Sequence, residues 1–380
     1  MKPAAARSAR SALALLAVAV CAAPLAAEHW QVQYLFDEIK SGMEIVDLQF
    51  PSPSHGVAVA LIEKGKSRNP VALTTSDGGA HWQTVPLKDE PLAVYFLNEN
   101  NGWMVGDKSL WKTGDAGRTW AKLPAPPFPL NRVYFLTEKD GWALCAERAL
   151  GDGKKRPLVL ETHDGAQTWK PLAVANAPAD ALYAAYRFIS FASPTEGIIV
   201  GYADPPQPPR GPDWLEPASA LARTETARTG FNLQTLDGGQ TWQAHGNSGF
   251  GEITRARFSP HGKGLGLIEH LPSFAYPSEV FAIEWPSGGN AVVYRDKSFF
   301  VSDIWVAPDG AYYLAGVVLT SRLRDVIPQK VKVLTSRDLK QWTPKDVDYR
   351  AAANRVVLAG AGAHDLWLAT NNGMILKLVP

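Results

Sequence analysis

Short apolar runs rich in Val, Ile, Ala and aromatic residues alternate along this chain with clusters of Gly, Pro, Asn and Asp. Helical periodicity is hard to find, so the pattern predicts β-strands joined by tight turns. High counts of Trp (13) and Gly (32) then call for a search for repeats. One pattern recurs with constant spacing: an apolar run ends in Phe, a polar turn follows, and Gly comes six residues after the Phe. It occurs as QFPSPSHG (Phe50, Gly56), YFLNENNG (Phe96, Gly102), YFLTEKDG (Phe135, Gly141), SFASPTEG (Phe191, Gly197) and RFSPHGKG (Phe258, Gly264). Two looser versions end at Gly310 and Asp365. A second apolar run follows each: VAVAL, WMVG, WALCA, IIVGY, LGLIE, AYYLAG and LWLAT.

A second motif closes most units. It reads TSDGGAHWQTV from Thr75, KTGDAGRTWAKL from Lys112, ETHDGAQTWKPL from Glu161 and QTLDGGQTWQAH from Gln234, with a worn copy, TSRDLKQWTPK, from Thr335. Each unit therefore reads strand a, tight turn, strand b, loop, strand c, box, strand d. In the second unit this gives strand a at Ala93 to Asn98, b at Trp103 to Gly106, c at Leu110 to Thr113 and d from Trp120. In the fifth unit PSGGN replaces the box, still as a hairpin turn. Seven such units predict an all-β fold, a seven-bladed β-propeller of four-stranded blades spanning residues 28–380 as one domain. The seventh unit ends at strand c, MILKLVP, and lacks strand d. HWQVQYL from His29 resembles HWQTVPL from His81, so residues 29–35 are expected to supply the missing outer strand.

The boxes match the Asp-box, or bacterial neuraminidase repeat, Ser/Thr-x-Asp-x-Gly-x-Thr-Trp. Asp77, Asp115, Asp164, Asp237 and the worn Asp338 are expected to accept N–H bonds within their own turn. Gly79, Gly117, Gly165 and Gly239 supply the positive φ. Trp82, Trp120, Trp169, Trp242 and Trp342 wedge between strands and blades, where an aromatic buries ~150–250 Å². The same Asp at equivalent rim positions is a repeated staple, whereas a catalytic group is expected once.

Residues 1–27 read as a secretory signal peptide: basic Lys2, Arg7 and Arg10, an apolar run from Ala12 to Ala23, then Pro24 and cleavage after Ala26 or Ala27. The run is shorter than the about 20 residues a membrane span needs, and no later segment is long and apolar enough. Cys21 raises a lipoprotein alternative, against which stands Val20, where such a signal has a small residue. Cleavage changes the formal net charge from +1 to −2, which argues against general nucleic-acid binding. It also leaves Cys145 as the one cysteine, so no internal disulfide forms. Within WALCA, Cys145 reads as a buried small hydrophobe.

Sialidases carry Asp-boxes, and their chemistry needs an arginine triad, a Tyr–Glu nucleophilic pair, an acid and a Phe/Tyr-Arg-Ile-Pro motif. The nearest match, YRFIS from Tyr186, lacks the Pro and coincides with a strand a. Other Asp-box propellers hydrolyse glycans with two carboxylates across the scissile bond. Glu44, Asp47, Glu252 and Asp303 lie near strand-a starts, but nothing pairs any two, and each reads as an ordinary solvated carboxylate. His29, His55, His81, His163, His245, His261, His270 and His364 form no HExxH or close ligand pair, and no G-x-S-x-G elbow occurs. Neither a cofactor nor a metal is called for, and an enzyme is not expected.

Function is expected in the b–c loops, which in a propeller emerge on one face. In 62–70, 147–157, 203–229 and 320–330 basic residues exceed acidic ones by five. The dense groups are Lys64, Lys66 and Arg68; Lys154, Lys155 and Arg156; and Arg322 and Arg324, with Trp214, Phe274 and Tyr276 adding aromatic surface. Arg with aromatics suits a protein interface. The F-x5-G-W-x-V-G and T-x-D-G-G-x-T-W repeats, best seen in YFLNENNGWMVGDKSLWKTGDAGRTW, resemble the photosystem II assembly and stability factor family across the whole chain after residue 27, with the fifth unit and the 203–229 insertion as departures. That resemblance implies a non-enzymatic propeller scaffold that holds a membrane-protein assembly intermediate, aided by a basic patch. Similar proteins occur in non-photosynthetic bacteria, and the signal peptide fits export to a Gram-negative periplasm. The expectation is a periplasmic, monomeric, partner-binding scaffold. The alternative is a carbohydrate-binding or sialidase-like glycoside-hydrolase propeller, which needs facing carboxylates in a deep channel.

Overall fold

The computed structural model describes residues 28–146, 148–149, 158–175, 183–204, 228–249, 251–258, 263–270, 274–284, 289–319, 328–362 and 364–380. These residues fold as β-strands and turns, and none of their helices is long and apolar enough to cross a membrane.

Five sheets follow one another along the chain, each antiparallel and in sequence order. Sheet 1 holds Ser41–Gln49, Gly56–Lys64, Ser67–Thr75 and Gln83–Pro86. Sheet 2 holds Pro91–Phe96, Gly102–Gly106, Leu110–Thr113 and Ala121–Lys122, and sheet 3 Leu130–Phe135, Gly141–Cys145, Val159–Thr162 and Lys170–Pro171. Sheet 4 holds Tyr183–Phe191, Gly197–Asp204, Arg228–Thr235 and Gln243–Gly249, with Arg148–Ala149 added on its first strand. Sheet 5 holds Glu252–Phe258, Lys263–Glu269, Ser278–Glu284 and Gly289–Arg295.

Sheet 6 is larger and has two antiparallel halves. One half holds Phe299–Val306, Tyr312–Val318, Gln329–Ser336 and Thr343–Val347. The other holds Val356–Gly360, Leu366–Thr370, Met374–Val379 and, as its outer strand, His29–Leu35. The N-terminal strand thus pairs antiparallel with the C-terminal one, Trp30 opposite Leu378, as the likeness of HWQVQYL to HWQTVPL led us to expect. Its start also touches Thr343–Val347 in parallel register, which joins the halves. Lys345 bonds Glu28 beside this junction at 2.7 Å. The first strands of consecutive units pack on one another in order, and Val356–Gly360 packs back on Ser41–Gln49. The strands form a closed ring, and the apolar core is divided among its seams.

The Phe-to-Gly spacing has a direct cause. Phe96 and Gly102 face each other across the a–b pair, as do Phe135 and Gly141, Phe191 and Gly197, and Phe258 and Gly264. The ring lies over the glycine: a Cβ on Gly102 would stand 2.7 Å from Phe96, and one on Gly141 2.5 Å from Phe135. The far face of the Phe serves the next seam. Phe135 stacks on Trp103 of the preceding sheet at 3.7 Å and 6°, and Phe50 on Trp367 at 3.6 Å and 4°. In the second unit strand a ends at Phe96 rather than Asn98, because the Leu97 N–H closes a turn on the Asn101 carbonyl. Asn98 Oδ1 then accepts the Asn100 and Asn101 N–H groups. Cys145 is buried, and Tyr186 is packed within its strand a.

Gly102→Ala is expected to destabilise the fold by about 1–3 kcal/mol through overpacking. In denaturant unfolding, Phe96→Leu together with Gly102→Ala should cost less than the two single changes summed, because the smaller side chain relieves the clash.

Candidate functional site

Four boxes share one geometry, centred on a buried threonine hydroxyl. Thr75, Thr113, Thr162 and Thr235 donate to Asp77, Asp115, Asp164 and Asp237 at 2.8–2.9 Å. The same hydroxyls accept the N–H of Gly79, Gly117, Ala166 and Gly239. Each Asp also accepts the N–H four residues on, from His81, Thr119, Thr168 or Thr241. The residue after each Asp ties the box to the a–b turn of its own sheet: Gly78 to Ser54, Ala116 to Asn100, Gly165 to Lys139 and Gly238 to Thr195. Two successive residues of each box have positive φ: Gly78 and Gly79, Ala116 and Gly117, Gly165 and Ala166, Gly238 and Gly239. Gly165 therefore occupies the first of these positions, not that of Gly79, and an alanine takes the second.

Each box tryptophan sets its edge against the strand-a Phe, with Trp82 on Phe50 at 6.0 Å and 88° and Trp242 on Phe191 at 6.1 Å and 87°. Trp120 and Trp169 meet Phe96 and Phe135 in the same way. The worn box keeps its Asp338 bonds to the Lys340 and Gln341 N–H groups. Its shorter turn sends Trp342 Nε1 to the Val293 carbonyl of sheet 5 instead.

The four strand-a carboxylates do not share one environment. Asp47 and Asp303, expected in solvent, are 3% and 1% exposed. Asp47 accepts the Leu48 N–H and, from the next sheet, the Val94 N–H at 3.2 Å. Asp303 does the same with Ile304 and, across the seam, Leu358 at 2.9 Å. Arg132 lies 3.2 Å from Asp47, and Arg255 3.4 Å from Asp303. Glu252 pairs with Arg187 at 3.3 Å, and Glu44 sits 4.0 Å from Arg68. The cause is a β-bulge. The ladder skips one residue in six of the first strands, just before Asp47, Ala93, Arg132, Phe188, Arg255 and Asp303, while Val356–Gly360 pairs without a skip. A bulge re-aims the side chain that follows it, so these residues occupy equivalent places on the ring of first strands.

Three guanidinium groups converge there on one aromatic ring. Arg132, Arg255 and Arg257 stand 5.4, 5.2 and 4.7 Å from the Phe188 centroid, within cation–π range. Arg257 also lies 5.1 Å from Trp305, and its buried Nε has no hydrogen-bond partner. Burial works against the charge of both Arg255 and Arg257, with Asp303 the largest opposing influence. None of Arg132, Phe188, Arg255 or Arg257 was singled out from sequence. A signal was present: Asp47, Arg132, Phe188 and Arg255 each stand three residues before the motif Phe.

On the loop side, Lys64 and Lys66 are exposed around the Gly65 turn. Arg68 is held by Glu90 at 2.6 Å and Glu63 at 3.3 Å, so its charge is met within the fold. Phe274 stacks on His270 at 4.5 Å, and Tyr276 lies under Arg295 and Lys297. Lys154, Lys155, Arg156, Trp214, Arg322 and Arg324 lie outside the described residues. In the short loop of sheet 2, buried Asp89 accepts the Lys108 N–H and the Trp111 indole. Burial and the neighbouring Asp107 push its carboxyl up. Among the described residues no three His, Cys, Asp or Glu side chains gather as a metal site requires.

Neither a family profile nor a curated protein matches the sequence. Solved structures match its fold. YCF48 bound to a D1 peptide is 16% identical with a TM-score of 0.56, covering 91% of this chain and 99% of that one. YCF48 from Cyanidioschyzon merolae is 15% identical with a TM-score of 0.58, covering 93% and 99%. An ancestral GH74 enzyme is 10% identical with a TM-score of 0.51, covering 92% of this chain and 48% of that one. The chain therefore has a β-propeller fold.

Asp47→Ala leaves the Val94 N–H and Arg132 without their buried partner, and is expected to cost about 3–5 kcal/mol in denaturant unfolding. The boxes make the fold acid-sensitive. The His81 N–H and side chain hold Asp77 at about 2, while the hydroxyl and N–H of Thr168 and Thr241 do the same for Asp164 and Asp237. A lowered folded pKa stabilises above the unfolded value and is lost as pH falls through the folded one. The urea midpoint should therefore drop between about pH 4 and pH 2. Asp164→Asn with Asp237→Asn should flatten that drop while lowering the midpoint at pH 7.

Proposed function

We propose that this chain is an exported, non-enzymatic scaffold, a seven-bladed propeller with Asp-box repeats that binds a protein partner belonging to a membrane complex. The observation that carries the proposal is the arginine cluster on Phe188. Arg132, Arg255 and Arg257 face two carboxylates, Asp47 and Asp303, so the cluster has an excess of positive charge. Such a site attracts an acidic segment, and guanidinium groups on an aromatic plane bind carboxylates with defined geometry. Lys64 and Lys66 are exposed, and Lys154, Lys155, Arg156, Arg322 and Arg324 are the further basic residues the sequence sets in b–c loops. The first strands and their ring of contacts support a count of seven blades. YCF48, a similar fold, has been solved with a bound peptide, which supports peptide capture as a use of this architecture.

The glycoside-hydrolase alternative needs two carboxylates free to act across a bond. Asp47 and Asp303 are committed to backbone N–H groups and arginines, which disfavours it.

The test is affinity capture from detergent-solubilised membranes, using variants of matched thermal stability. Wild type is expected to retain one stoichiometric partner. Arg257→Gln should weaken its binding at least tenfold, because removing one desolvated interfacial charge costs ~2–5 kcal/mol. Charge reversal at Lys154, Lys155, Arg156, Arg322 and Arg324 reports on the loop face separately. Undiminished capture by both variants, or no partner for wild type, overturns the proposal.

A further inference from the structure

The seam between sheets 4 and 5 differs from the others. Trp103 and Trp142 follow the motif glycine in sheets 2 and 3 and Trp367 lines the last seam, whereas Ile198 stands in sheet 4, as Val57 does in sheet 1 and Leu265 in sheet 5. Sheets 1 and 5 still face a tryptophan from the box of the next sheet, Trp120 and Trp342. Sheet 5 has no box, so no box tryptophan closes its side of the seam. Among the described residues the space is not recovered by closer packing. A cavity of about 330 Å³ remains, walled by Ile198, Val200, Ile253, Ile268, Phe281 and Ile283. Native interiors hold few voids larger than a water molecule, and an apolar wall gives water few partners. The volume is that of a small-molecule site.

Polar groups sit at defined places in it. Gln234 donates to Asn232 at 3.0 Å, so an amide pair forms one polar edge. Glu279 forms another, and its carboxylate is already held by His270 at 3.2 Å and Arg295 at 3.4 Å. Its charge is thus compensated, and a charged ligand would gain no counter-ion there. The mouth lies at Val292, which is 54% exposed on the outer strand of sheet 5.

We propose that this cleft binds a neutral, planar apolar molecule carrying one hydrogen-bonding group, such as a phenol or indole. Its ring takes the space left by the missing tryptophans between the Ile198 and Phe281 walls. Its polar group meets the Asn232–Gln234 amides. The cleft adjoins the arginine cluster, since Phe188 packs in the same apolar group as Ile198 and Val200.

The probe is 2-naphthol, titrated by fluorescence against the full chain without its leader. Saturable binding of one molecule per chain is expected. Ile198→Trp, which places there the indole that Trp103 and Trp142 supply in sheets 2 and 3, should weaken binding at least tenfold and leave the thermal transition equal or higher. Should that variant fail to fold, Val292→Trp at the exposed mouth is expected to weaken binding by a similar factor. The carboxylate 2-naphthoate should bind at least tenfold less tightly than 2-naphthol. Absence of saturation with wild type overturns the proposal, as does wild-type affinity in the cleft variants. Equal affinity for 2-naphthoate overturns the assignment to neutral ligands.

Discussion

A phenylalanine ring lying flat over a cross-strand glycine is the contact on which this structure depends. It requires the glycine, because any Cβ there would enter the ring. It also fixes which face of the phenylalanine remains free. For Phe135 that face stacks on Trp103 of the preceding sheet, as Phe50 does on Trp367 and Phe191 on Trp142, and the box tryptophan of its own sheet closes on the ring edge. One residue thus joins an a–b pair, a c–d hairpin and a neighbouring sheet. The box is anchored to the same place, since the residue after each aspartate bonds the a–b turn. Propeller stability is therefore concentrated where the motif residues meet, and strand d needs only two paired residues in sheets 2 and 3. Closure of the ring lets these seams support one another, and pairing of His29–Leu35 with Met374–Val379 joins the two ends of the chain.

Near the axis, a second constraint decides what chemistry is possible. The bulges bring post-bulge side chains together while leaving backbone N–H groups of the next first strand in need of acceptors. Asp47 and Asp303 supply them. A buried carboxylate so used is fixed in position by the N–H groups it accepts. The arginines that balance these aspartates outnumber them, and Arg257 rests on aromatic faces with an unmet Nε. The same bulges thus place the aspartates on backbone N–H groups and leave the arginines in excess beside them.

Much of this was legible in the sequence because it is written in local spacing. The Phe–Gly interval, the Asp-box turns and the resemblance between residues 29–35 and the strand after His81 all reflect contacts within one hairpin or one repeat. Besides the arginine cluster, several features escaped. The solvated reading of Asp47 and Asp303 failed because a bulge changes the face to which a strand residue points, and alternation alone does not reveal it. Arg68 looked like free basic surface because its partner Glu90 belongs to the next sheet. The first of two positive-φ places in the third box was mistaken for the second, because a glycine at either place satisfies the same motif. Each miss concerns where a repeat meets its neighbour or how its backbone is offset, and neither is set by spacing within a single strand.

Departures from the repeat gain meaning from this division. A motif residue lost at one seam would loosen an open stack of sheets at that point. In a ring, the sheets on either side are also held through their other seams. Sheets 4 and 5 still touch through their first strands, and Arg255 and Arg257 of sheet 5 stack on Phe188 of sheet 4. The inner end of the seam is thus held by the arginine–aromatic cluster, while its outer part has neither the strand-b nor the box tryptophan of which the other Phe–Gly seams keep at least one. A cavity opening toward the rim is the expected result of removing aromatic fill from a closed ring whose inner contacts remain. Variation at that seam can therefore shape a ligand site without giving up the contacts that close the propeller.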